Sequence, residues 1–166
     1  AAAINRTIDE TYGTIVREAQ ESMAGGVSLS CMYITWETYQ CGNVLSLIVS
    51  CGWGFDMNTH SVYLYDTATG EQMTTAQLLE TLQVEPETFL AAVHQAAAER
   101  FDGKYAGIGG DTDELVAERR AWTLSDENIN LDVMTYADAA GNLYVYLPIG
   151  SIAGAASYEE PLTLDL

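Results

Sequence analysis

Hydrophobic residues near the start of the chain fall at helical spacing. Ile4, Ile8, Ile15 and Ala19, joined by Tyr12, recur at steps of three, four or seven and predict one helix running to about Met23, with Gly25-Gly26 stopping it. The period then changes to two. Leu29, Cys31 and Tyr33 alternate with Met32, Ile34 and Trp36 in a segment rich in aromatic and β-branched residues, which predicts a strand. Gln40-Cys41-Gly42-Asn43 reads as a turn. Val44 to Trp53 reads as a second strand, with Leu45, Leu47, Val49, Cys51 and Trp53 on one face and Ser46 and Ser50 on the other. Ser61 to Asp66 gives a third strand, closed by the turn Asp66-Thr67-Ala68-Thr69-Gly70.

Thr74-Thr75-Ala76-Gln77 has the form of a capping box before a short helix through Leu82. Pro86 at a first helical position opens a stronger helix, whose stripe is Phe89, Leu90, Val93, Ala97 and Phe101 and whose end is marked by Gly103. Lys104 to Asp111 reads as a glycine-rich loop, and Asp113 to Arg120 as a further helical turn or two. Alternation returns from Asn130 to Tyr136 and from Leu143 to Leu147, across the turn Ala137 to Asn142. Pro148 is expected to end that strand or mark an edge. Ile149 to Ser157 is a small-residue segment, and Leu162 to Leu164 a final short strand. The whole predicts a single α+β domain: a mostly antiparallel sheet with two or three helices packed on one face.

Charge narrows the function classes. Twenty-four Asp and Glu against six Lys and Arg leave a net charge of −18 over 166 residues. Clustered cations that would neutralise phosphates are lacking, which argues against nucleic acid and against an anionic membrane surface. With 48% hydrophobic residues the chain can build a core, so it is not an acidic disordered tail. The longest strongly apolar stretch, Val44 to Val49, falls far short of the roughly 20 residues a membrane helix needs. Opening on Ala1 without a signal peptide, the chain reads as a trimmed piece whose leader or anchor has been removed.

Chemistry-bearing motifs are sparse. Cys31, Cys41 and Cys51 match no zinc or redox spacing, and the count is odd. With the two-residue loop Gly42-Asn43, Cys31 faces residue 54 and Cys51 points to the other side of the sheet; a three-residue loop offsets them diagonally. Reduced, buried cysteines are therefore expected. His94 falls on the apolar stripe of its helix, and His60 lies in a loop or at a strand start. Gly150-Ser151-Ile152-Ala153-Gly154 does not centre its serine as a hydrolase elbow requires. Gly107-Ile108-Gly109-Gly110 lacks the following glycine or lysine of a phosphate loop. Asp111-Thr112-Asp113-Glu114 matches only the opening of a calcium loop, without the later glycine and bidentate glutamate. No catalytic residue, cofactor or metal site is expected.

Several segments resemble a known family. They are Ile4-Asn5; Gly42-Asn43-Val44-Leu45-Ser46-Leu47; Leu64-Tyr65-Asp66-Thr67-Ala68-Thr69-Gly70-Glu71 leading into Leu78-Leu79; and Gly141-Asn142-Leu143-Tyr144-Val145-Tyr146-Leu147-Pro148 with Ile152-Ala153-Gly154-Ala155-Ala156. Together they are similar to the extracytoplasmic domain of unknown function shared by lysozyme-responsive (RsiV-like) anti-sigma factors and some peptidoglycan deacetylases. The family's Gly-Gly-Ala-His-Gly loop is replaced by Gly52-Trp53-Gly54-Phe55-Asp56-Met57-Asn58, and its Pro-Tyr-Glu-Ile motif by Pro148-Ile149-Gly150-Ser151-Ile152. The resemblance implies a Gram-positive, cell-surface or secreted domain, tethered by an upstream membrane helix that this chain lacks. It implies binding rather than catalysis, with lysozyme or a cell-wall fragment as ligand. The alternative is an accessory module of a cell-wall-modifying enzyme whose catalytic domain lies outside the chain. An acidic surface independently suits a basic partner such as lysozyme. For the contact itself, the aromatic loop Trp53, Phe55, Asp56, Met57 and Asn58 with His60 is the candidate, since exposed aromatics dominate binding hot spots.

Overall fold

The computed structural model describes residues 2–26, 31, 33–53, 58–153 and 156–166. Leu29, Met32, Phe55, Asp56, Met57, Gly154 and Ala155, singled out above, lie outside them. The chain has the α+β class expected, and its antiparallel strands divide between two sheets. The first sheet holds β1 (Tyr33–Cys41), β2 (Val44–Gly52), β3 (Asn58–Asp66) and β4 (Glu71–Met73), in that order. The second holds β5 (Met134–Ala137), β6 (Leu143–Gly150) and β7 (Ser157–Thr163), with β6 central. The helices are α1 (Ala2–Ile8), α2 (Thr14–Ala24), α3 (Thr75–Leu82), α4 (Pro86–Lys104) and α5 (Asp113–Thr123). Helices α1 and α2 are joined by a π-helical turn, Asp9–Gly13.

Strand alternation explains why two sheets form. In β6, Leu143, Val145, Leu147 and Ile149 are all buried and meet α4 and α5, whose stripe Phe89, Val93, Ala97 and Phe101 is buried against them. The opposite face of β6 carries Tyr144, Tyr146 and Pro148, and it turns toward the first sheet, where β5 lies against β1, β2 and β3. The first sheet has two unlike faces in turn. Ser46 and Ile48 of β2 with Val62 and Leu64 of β3 look toward the second sheet; Leu47, Val49 and Cys51 look the other way, under the N-terminal helix. There Tyr12 is buried, and its hydroxyl donates to Ser61 Oγ at 2.7 Å. Helices thus cover the outer side of each sheet.

The β1–β2 hairpin has the two-residue Gly42-Asn43 loop and the register expected of it, Cys41 opposite Val44 and Tyr33 opposite Gly52. The Thr74–Gln77 capping box forms, with Thr74 N–H donating to Gln77 Oε1 at 2.8 Å. Several boundaries move. Strand β3 begins at Asn58 and β1 runs on to Cys41, so His60 sits inside a strand. Helix α4 continues through Gly103 to Lys104, and α5 extends to Thr123. Residues 130–133 leave the strand pattern because the Asn130 amide donates to the carbonyls of Asp126 and Glu127 and accepts from Asp132 N–H, closing a turn. Strand β6 passes through Pro148: β5 pairs only with Leu143 to Tyr146, so Pro148 stands on a local edge where no partner needs its missing N–H.

Candidate functional site

Where β1 overhangs the second sheet, aromatic rings collect. Tyr39 stacks on Tyr136 at 5.7 Å between centroids, Tyr136 on Tyr144 at 5.0 Å and on Tyr146 at 5.8 Å, and Tyr146 on the imidazole of His60 at 4.0 Å. The strand period supplies this: Tyr144 and Tyr146 share a face of β6, Tyr136 lies opposite Tyr144, and Tyr39 stands on the facing side of β1. Tyr136 is buried at the centre, while Tyr39, Tyr144 and Tyr146 are half-buried around it.

Carboxylates rim this stack. Exposed Glu37, two residues from Tyr39 on the same face of β1, accepts the Tyr39 hydroxyl at 2.8 Å. Asp138 accepts from Ala140 N–H and the Asn142 side chain at 2.8 Å each, and from the Tyr144 hydroxyl at 3.3 Å. Glu159 accepts from His60 N–H at 2.7 Å and sits 3.0 Å from His60 Nδ1. The hydrogen bond from the Asn142 side chain leads in holding the Asp138 carboxyl below the usual range. Burial, then the neighbouring tyrosines and Glu37, push Tyr136 far above the ordinary tyrosine value. Burial raises Tyr146 and Tyr144 as well, and for Tyr39 the hydrogen bond to Glu37 is the first cause. At neutral pH the cluster therefore presents the ionised Asp138 carboxylate beside protonated phenols.

Cations are placed elsewhere. Arg6, Arg17, Arg100, Lys104, Arg119 and Arg120 all belong to helices, and the strands contain no Lys or Arg. Arg17 pairs with Asp9, Arg100 and Lys104 with Glu160, and Arg120 with Asp102. Among the described residues, neither Glu37 nor Asp138 has an ion-pair partner. The surface over β1, β5 and β6 is consequently one of π faces and unneutralised acids.

Of the loop residues proposed from the sequence, Trp53, Asn58 and His60 are described, and Trp53 and His60 lie on opposite faces of the first sheet. Trp53 is half-buried against the N-terminal helix layer, where its indole N–H donates to Thr59 Oγ1 at 2.9 Å. Asn58 is exposed and accepts from the Tyr33 hydroxyl at 2.8 Å. His60 belongs to the opposite face from Trp53 and joins the tyrosine stack. Tyr39, Tyr136, Tyr144, Tyr146 and Glu37 were not singled out from the sequence. The available signal was Tyr144-Val145-Tyr146, two tyrosines that any strand must place on one face.

Among the described residues, no group of three or more His, Cys, Asp and Glu is placed to hold a metal ion. No helix among the described residues is long and apolar enough to cross a membrane. No protein-family model matches the chain, and no curated protein matches it in sequence.

Proposed function

We propose that this is a non-catalytic binding domain whose ligand is a basic protein, with lysozyme the first candidate, and that the tyrosine stack rimmed by Glu37 and Asp138 is its contact surface. The observation that carries the reading is the pairing of ring faces with acids that have no internal cation. Arginine and lysine side chains are attracted to both, through charge and through the ring quadrupole. A neutral cell-wall saccharide could stack on the rings but would leave the charge unused, which favours the basic partner. The resemblance to the extracytoplasmic domain of lysozyme-responsive anti-sigma factors points the same way, as does the net charge of −18.

Calorimetric titration of the domain with lysozyme, at low and at physiological salt, tests this. Micromolar or tighter binding that survives the salt is expected, because exposed charge attraction alone is largely screened beyond about 8 Å there. Binding seen only at low salt, or none, overturns the reading.

A further inference from the structure

The sulfur atoms of Cys31 and Cys51 lie 3.0 Å apart. Both residues are buried, Cys31 to 8% and Cys51 to 1% exposure, in the cluster that the N-terminal helix closes with Tyr12. The hairpin register alone keeps them apart, since Ile34 is the residue paired with Cys51. Strand β1 begins only at Tyr33, however, so Cys31 has left the ladder and its side chain is free of the strand alternation. This corrects the expectation from spacing that neither register brings the two together. Cys41 stands at the other end of β1, its Sγ near Gly141.

We propose that Cys31 and Cys51 are a covalent latch, closing to a disulfide by exchange with an external disulfide. A disulfide requires sulfurs about 2.05 Å apart, so closure asks each atom to move by roughly half an ångström. The two thiols are not equally reachable. Cys31 lines a groove between α2 and β1 together with Ile15, Ala19, Met23 and Tyr33, whereas Cys51 is enclosed beneath it. Burial first, and the hydrogen bond with Cys31 second, push the Cys51 thiol up to about 12, which leaves it unreactive until a neighbour is modified.

In the exchange, the Cys31 thiolate attacks one sulfur of the incoming disulfide, forming a mixed disulfide and expelling one thiolate. Cys51, giving up its proton, then attacks Cys31 Sγ and expels the second. The two cysteines lose two electrons and two protons, and the external disulfide is reduced to two thiols. The product joins residues 20 positions apart and pins the start of β1 to the end of β2 under the N-terminal helix. Reduction releases the pin and leaves the start of β1 held by side-chain packing beneath that helix, which keeps its Tyr12–Ser61 hydrogen bond.

The test uses the folded chain equilibrated with oxidised glutathione, followed by alkylation of free thiols, intact-mass measurement and mapping of linked peptides without reduction. Two of the three thiols should be lost, with a mass decrease of two hydrogens and a link between Cys31 and Cys51. Cys41→Ser should behave identically, and Cys51→Ser should show no internal link. Amide hydrogen exchange in α2 should be slower in the oxidised protein. Three alkylated cysteines, a link through Cys41 or only glutathione adducts would overturn the proposal. Equal exchange in the two redox states would overturn the latch.

Discussion

Glu159 and Glu160 are neighbours in β7 and point to opposite faces of the second sheet. Glu159 ties it to the first sheet through His60, and Glu160 ties it to the helix layer through Arg100 and Lys104, the latter at 2.5 Å. One dipeptide thus fastens three layers, a direct consequence of the strand's period of two.

Glu160 makes the fold acid-sensitive. Burial pushes its carboxyl up, but the hydrogen bonds and charges of Lys104 and Arg100 outweigh burial and hold it below its ordinary value. A carboxyl depressed on folding contributes stability that is present above the unfolded value, about 4.3, and is lost as pH falls through the folded one. Glu160→Gln should cost about 1–2 kcal/mol at neutral pH, allowing for solvent screening at half-exposed Arg100, and flatten the stability profile on the acid side. Urea titrations across acidic pH read both; an unchanged acid limb would show that this pairing does not govern it.

Ser46 is fully buried, and its hydroxyl donates to the carbonyl of Ala137 at 3.2 Å while accepting from its N–H at 3.3 Å. It is the polar bridge between β2 and β5. Ser46→Ala should destabilise by about 1–3 kcal/mol, because both groups of Ala137 lose that partner in a dry interface. Chemical denaturation measures the loss, and a change within error would mean that water or backbone shifts replace the hydroxyl.

Gly150 and Gly103 should respond in opposite directions. A Cβ on Gly150 would stand 2.8 Å from the Arg119 carbonyl and 3.0 Å from Thr123 Oγ1, at the point where β6 docks on α5. Gly150→Ala should therefore cost about 1–3 kcal/mol by overpacking. A Cβ on Gly103, inside α4, would meet nothing within 4 Å, so Gly103→Ala should stabilise by about 0.5–1 kcal/mol. Thermal melts of the two variants decide it, and the same sign for both would contradict the packing described.

Binding and stability should separate at the rim of the tyrosine stack. Glu37→Gln and Tyr39→Ala alter half-buried or exposed side chains of an edge strand, so thermal stability should change by less than about 1 kcal/mol. Affinity for lysozyme should fall about tenfold or more for each, as expected where a hot-spot side chain is truncated. Weaker binding in proportion to lost stability would assign these residues to the fold instead.

Much of this architecture was legible where local rules act alone. Gly42-Asn43 marks the turn while leaving a two- or a three-residue loop open, Thr74 and Gln77 specify a cap, and the stripe from Phe89 to Phe101 specifies a buried helix face. The misread places are those where a partner decides. Asn130 reads as strand alternation until its amide captures three backbone groups, and of the two readings of Pro148, a strand end or an edge, the edge holds because β5 begins opposite Tyr146 and leaves Pro148 unpaired on that side. The candidate site was least legible because its parts come from separate segments. Tyr39 and Tyr136 meet only when two sheets face each other, and His60 joins them only because β3 starts three residues earlier than its apolar alternation indicates.

The confinement of all six basic residues to helices has a further consequence. A protease that cuts after lysine or arginine finds no scissile bond between Arg17 and Arg100 or between Ala121 and Leu166, even in the fully unfolded chain. Both sheets survive such digestion as uninterrupted polypeptide, and every possible nick falls in the helical layers outside them.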